Sequence, residues 1–132
     1  MSNLPDENQL AIRVMAMPAD TNPDGDIFGG WLMSQVDIAG SIIAHRYARS
    51  RIVTVAVDSF QFKQPVFVGD VISCYASVTR IGHSSITVHV KAFADRHGQP
   101  HVPVQVTEAD LTYVAIDEQR RPRQIPGDPV IA

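Results

Sequence analysis

Thr21-Asn-Pro-Asp-Gly-Asp-Ile-Phe-Gly-Gly-Trp-Leu-Met-Ser-Gln-Val-Asp-Ile-Ala-Gly40 decides how this chain folds. A polar, turn-rich loop passes through Gly29-Gly30 into a helix, read from Trp31 to about Ser50, that is apolar on nearly every side. Leu32, Val36, Ala39, Ile43 and Tyr47 mark one face, and Met33, Ile38, Ile42 and Ala44 fill most of the rest. Such a helix is buried in a core or under a partner. The polar remainder is a thin stripe: Ser34, Asp37, Ser41 and His45. A buried carboxylate is costly without a partner or a task, so Asp37 stands out. The double glycine ahead of it leaves backbone N–H groups open at the positive end of the helix dipole, where developing negative charge is held. Gly40 costs about 1 kcal/mol relative to alanine in mid-helix, and Ala39-Gly40 and Ala44 read as places where another backbone comes close.

Around this helix the chain reads as strand and turn. Residues 10 to 17 alternate as a short strand ended by Pro18. Val53, Val55 and Val57 alternate on odd positions, while Phe60 and Phe62 follow on even ones. That change of phase calls for a bulge near Asp58-Ser59. Pro65 and Val68-Gly69-Asp70 make a corner. Ile72, Cys74, Ala76 and Val78 form the next face, and Ile86, Val88, Val90 and Ala92 another. The last strand begins at Val102 and shifts phase at Thr107-Glu108. Residues 118 to 132, with three prolines, read as an extended surface tail that cannot continue the ladder. One strand, one helix and four long antiparallel strands imply an α+β domain over 1–132, its core at about 10–117. A helix apolar all round needs a sheet curled about it, or a second subunit.

Composition narrows the function. The 132 residues are 45% hydrophobic and 19% charged, ordinary for a globular domain. A net charge of −3 argues against nucleic acid as a partner, and no apolar run approaches a membrane span. The N-terminal residues lack signal-peptide character, and one cysteine, Cys74, permits no internal disulfide; both suit the cytoplasm. Asp20-x-Asn22-x-Asp24-Gly25 mimics the start of a calcium loop, but Trp31 stands where the bidentate glutamate belongs. Asx-type turns explain it better. His97 and His101 are separated by Gly98 and Pro100, which exclude a shared helix face, so no metal or other cofactor is expected. No Gly-x-Ser-x-Gly elbow is present for a serine hydrolase.

The stretch from Ala16 to Asp37 resembles the signature of the YciA-type bacterial acyl-CoA thioester hydrolases. Val53-Thr-Val-Ala-Val57, Pro65-Val-Phe-Val-Gly-Asp70 and Gly82-His-Ser-Ser85 resemble further blocks of that family in the same order. The resemblance implies a hotdog fold, in which a curled, five-stranded antiparallel sheet wraps one long central helix. It also implies dimers, often assembled as trimers of dimers into hexamers, acting on acyl-CoA without a metal. Asp37 then matches the catalytic carboxylate, as nucleophile or as general base for water. Gly30, with Gly29, matches the oxyanion position, and Asn22 faces the carboxylate across the dimer interface. Val55 and the Gly82, His83, Ser84 and Ser85 turn would line the pantetheine arm and nucleotide end, with Arg80 nearby. Phe28, Trp31, Phe60 and Phe62 are available to bound an acyl pocket. Two other readings compete: a hydroxyacyl dehydratase, which wants a histidine base absent from the helix-entry loop, and a non-catalytic acyl-CoA-binding module in which Asp37 is structural.

Overall fold

The computed structural model describes residues 4–96 and 102–126. One helix, α1 (Gly29–Ala48), lies against a five-stranded antiparallel sheet of β1 (Leu10–Met15), β2 (Arg51–Phe62), β3 (Val71–Ile81), β4 (Ser85–Asp95) and β5 (Val104–Ile116). The order across the sheet is β1-β3-β4-β5-β2, so it is open, with β1 and β2 as its edges. This is the hotdog architecture. Leu32, Val36, Ala39, Gly40, Ile43, Ala44 and Ala48 form the buried face of α1. They meet the alternating residues of the central strands, among them Ile72, Cys74, Val88, Val90 and Leu111, all at or below 1% exposure. Burial pushes the Cys74 thiol up to about 12, which makes it an inert core residue.

Several boundaries differ from the sequence reading. Strand β1 stops at Met15 because Pro18–Asp20 forms a 3-10 turn, with Asp20 Oδ2 accepting the Met17 N–H at 2.9 Å. The helix begins two residues early, so Gly29 and Gly30 are its first turn. Strand β5 begins at Val104 rather than Val102. The expected bulge in β2 is present: register slips between Asp58 and Gln61, and Ser59 sits at φ 55°. A second slip between Thr54 and Ala56 was hidden by the even valine spacing. It pairs Thr54 with Tyr113 and Val57 with Leu111, so the two ends of the Val53-to-Val57 run do not share one face. The close neighbour of Gly40 is also a side chain rather than a backbone: a Cβ there would land on the Tyr113 hydroxyl, with the ring carbons Cε2 and Cζ 3.2 Å away.

The tail is not simply extended. After a turn at Asp117–Arg120, Pro122 bridges to Ile116 and Arg123 N–H donates to the Ala115 carbonyl at 2.9 Å. Ile125 is buried at 6% exposure and joins the core. The proline contributes no donor here, but its neighbour does, and the apolar Ile125 secures the fold-back. The pair His97 and His101 lies outside the described residues.

Candidate active site

One side of α1 and the edge strand β2 remain uncovered. Phe28, Met33, Ile38, Val55, Val57 and Phe62 are each 40–56% exposed along this side. The helix and β2 touch here, since the Phe62 ring lies 3.2 Å from where a Cβ on Gly29 would be. Monomeric proteins rarely present so many large apolar groups on one surface. Within that surface sits a small polar constellation. Thr54 donates its hydroxyl to Asp37 Oδ1 at 2.9 Å, and Tyr113 donates to the same oxygen at 3.0 Å and to the Asp37 carbonyl at 2.9 Å. No hydrogen bond among the described residues uses Oδ2. Burial, followed by the Asp37 charge, raises the Tyr113 phenol far above its ordinary value, so it stays a donor at neutral pH. Asp37 is thus held by two hydroxyls through one carboxylate oxygen, and its other oxygen stays open.

The start of α1 supplies the second element. Its N-cap is Phe28, whose side chain cannot accept a hydrogen bond. Trp31 and Leu32 donate to the Phe28 carbonyl, while the N–H groups of Gly29 and Gly30 have no acceptor among the described residues. A Cβ on Gly30 would meet nothing within 4 Å, so the approach to that N–H is open. Two unsatisfied donors at a helix N-terminus are suited to hold an oxyanion.

Asn22 organises the loop in front of the helix. Its Oδ1 accepts the N–H groups of Asp24 and Asp26 at 2.9 and 3.1 Å, the Asx-type turn expected from its Pro and Gly neighbours. Asn22, Phe28 and Gly29 line one open cleft of about 280 Å³ together with Phe62; Asp37 is not part of it. No hydrogen bond joins Asn22 to Asp37 within the subunit. Gly30 and Asp37 are seven positions apart on the helix, an advance of about 10 Å. Within one subunit, donor and carboxylate are therefore about two turns of helix apart. The Gly82–Ser85 turn, with Arg80 before it, begins one residue beyond the row that pairs Thr54 with Tyr113 and Tyr113 with Ile86, and Val55 is the exposed bulge residue beside Thr54.

Thr54 and Tyr113 were missed by the sequence reading. Thr54 falls between the alternating valines of β2, and Tyr113 alternates with Leu111 and Ala115 in β5, so neither stood out. A polar residue inside a valine run, in a strand already known to carry one bulge, was the available signal.

A thioesterase superfamily model matches residues 24–101. The acyl-CoA thioester hydrolase YciA of Salmonella typhimurium is 44% identical, over 96% of both chains. This chain belongs to the YciA-type acyl-CoA thioester hydrolases. Among solved structures, a hexameric thioesterase from Yersinia pestis is 49% identical and superposes with a TM-score of 0.88, covering 95% of this chain and all of that one. An acyl-CoA hydrolase from Staphylococcus aureus, solved in complex with butyryl coenzyme A and coenzyme A, is 31% identical with a TM-score of 0.80, over 92% of this chain and 74% of that one. No described helix of this family member is long and apolar enough to cross a membrane.

Proposed function

We propose that the protein hydrolyses acyl-CoA thioesters to a free carboxylic acid and coenzyme A. The observation that carries the reading is Asp37, held through Oδ1 by Thr54 and Tyr113 at the edge of an uncovered apolar surface. The S. aureus hydrolase supports it. Structures of that enzyme include alanine variants of an asparagine, an aspartate and a threonine, spaced fifteen and seventeen residues apart. Asn22, Asp37 and Thr54 have the same spacing in this chain.

The chemistry needs little machinery. A thioester carbonyl is weakly resonance-stabilised and its thiolate departs readily. Asp37 Oδ2 either attacks the carbonyl carbon, forming an anhydride that water opens, or takes a proton from water as it attacks. In both routes the C–S bond breaks and the coenzyme A thiolate leaves. The Gly30 N–H, assisted by Gly29, holds the carbonyl oxygen as it becomes negative, a contribution of about 3 kcal/mol when one such donor is lost.

The roughly 10 Å between Gly30 and Asp37 on one helix supports dividing these roles between two subunits. A two-fold axis that sets two α1 helices antiparallel brings Gly30 and Asn22 of one protomer to Asp37 of its partner. It also covers Ile38, Met33 and Val57 and pairs the β2 edges, removing an exposed strand edge. The protein is accordingly a dimer, assembled further into a hexamer as the Y. pestis thioesterase is. Phe28 and Phe62, beside Gly29, would bound the acyl chain. Release of free thiol from a panel of acyl-CoAs tests the activity directly. Binding without release would make the protein an acyl-CoA-binding module, and a monomer at micromolar concentration in sedimentation would remove the shared site.

A further inference from the structure

Gly40 and Tyr113 are two residue choices that work against stability. A glycine inside a helix is less favourable than alanine, and Gly40 lies on the buried face of α1. Tyr113 is the largest fully buried side chain among the described residues, and a phenylalanine would fill the same space without burying a hydroxyl. Both choices meet at one atom, the Tyr113 hydroxyl oxygen. Where local preference is overruled in this way, the position commonly serves function.

The geometry shows what the pair achieves. Gly40 follows Asp37 by three residues, so the two are neighbours along α1. A helical Cα–Cβ bond tilts toward the N-terminus, and any side chain at position 40 would stand over the turn that carries Asp37. The Tyr113 hydroxyl occupies that place instead. There it lies 2.9 Å from the Asp37 carbonyl oxygen and 3.0 Å from Oδ1, so one phenol proton is shared between the backbone and the side chain of a single residue. This grip ties the carboxylate to its own helix turn. Thr54 donates to the same oxygen, but it is an exposed residue of the edge strand β2. Tyr113 belongs to β5, where Thr54 of β2 and Ile86 of β4 pair with it on either side, and its ring is packed in the core. Of the two hydroxyls, the phenol is the fixed one.

Resting on the acyl-CoA reading above, we propose that Tyr113, admitted by the notch at Gly40, is a positioning residue for the hydrolysis, fixing the orientation in which Asp37 presents Oδ2 to the thioester. The phenol is spent on Asp37 and reaches the reaction only through it. Without that bond the carboxylate turns about its side-chain torsions, and the fraction of time spent in an attacking geometry falls.

Tyr113→Phe tests this, because it removes the hydroxyl and keeps the ring that fills the core. Loss of a hydrogen bond to a charged group lowers kcat for an acyl-CoA about tenfold, while KM holds within about twofold. Crystal structures of wild type and variant read the same claim without turnover: the Asp37 carboxylate takes one orientation in the wild type and more than one in Tyr113→Phe. A carboxylate that loses its single orientation in the variant, in a protein that hydrolyses no acyl-CoA, would uphold the positioning and refute the thioesterase reading. A phenol that only supports the core would lower the urea midpoint and leave kcat of the folded enzyme intact. That result, a rise in KM alone, or an Asp37 that keeps its orientation without the hydroxyl would overturn the proposal.

Discussion

Replacing Gly40 with alanine probes the coupling between the core and Asp37 without touching any group at the reacting end. On an open helix the change gains about 1 kcal/mol. Here the new methyl lands on the Tyr113 hydroxyl and 3.2 Å from two of its ring carbons, and Tyr113 is almost fully buried. Displacing a packed ring costs about 1–3 kcal/mol, and losing its bond to a carboxylate about 1.5–3 kcal/mol more. The net is a destabilisation of roughly 2–5 kcal/mol with a loss of turnover, because the phenol no longer aims Oδ1. In a Tyr113→Phe background the hydroxyl is already gone, and Gly40→Ala should fall within about 1 kcal/mol of neutral. Urea unfolding of the four proteins at one fixed concentration, since oligomers couple stability to concentration, measures this interaction as a double-mutant cycle. Additive effects, or a stabilised Gly40→Ala protein, would refute the reasoning.

Thr54→Ala removes the other hydroxyl on Oδ1 and should lower kcat about tenfold while leaving the fold intact, as read by steady-state thiol release and circular dichroism. Burial keeps the Cys74 thiol protonated in the folded state up to about 12, whereas the unfolded thiol ionises near 8.5. Stability from this group is therefore complete below that pH and lost as pH rises, by about 1.4 kcal/mol at pH 9.5. Comparing the urea midpoints of wild type and Cys74→Val at pH 7 and 9.5 checks it, with the smaller drop expected in the variant. By the same burial, Cys74 should resist thiol reagents at neutral pH until the protein unfolds, which a timed labelling experiment in rising urea records.

Much of this fold was legible because its patterns are strong. The apolar run around α1, the alternation of β3 and β4, and the phase change that forces the Ser59 bulge all follow from side-chain periodicity. Asp37 and Gly29-Gly30 were visible as exceptions to it. What stayed hidden was decided by backbone irregularity or by long-range packing. The slip at Val55 leaves an unbroken valine alternation in the sequence, yet it decides which face Thr54 joins. Tyr113 reads as core by position, and only the third dimension shows its hydroxyl over Gly40 and against Asp37. The tail looked unable to pair because of its prolines, but Arg123 and Ile125 supply the donors that Pro122 lacks. The separation of Gly30 and Asp37 along α1, on which the proposed division between protomers rests, is a matter of helix geometry.

The central claim is that Asp37 carries the chemistry. Asp37→Asn keeps the size and the acceptor oxygen for Thr54 and Tyr113, and removes the charge that attacks the carbonyl or deprotonates water. The decisive measurement is acyl-CoA turnover by purified Asp37→Asn protein shown by sedimentation to remain oligomeric. The account predicts a fall of about 10²–10⁴-fold or more with assembly retained. Turnover near that of the wild type would contradict it and leave Asp37 as a residue of the interface.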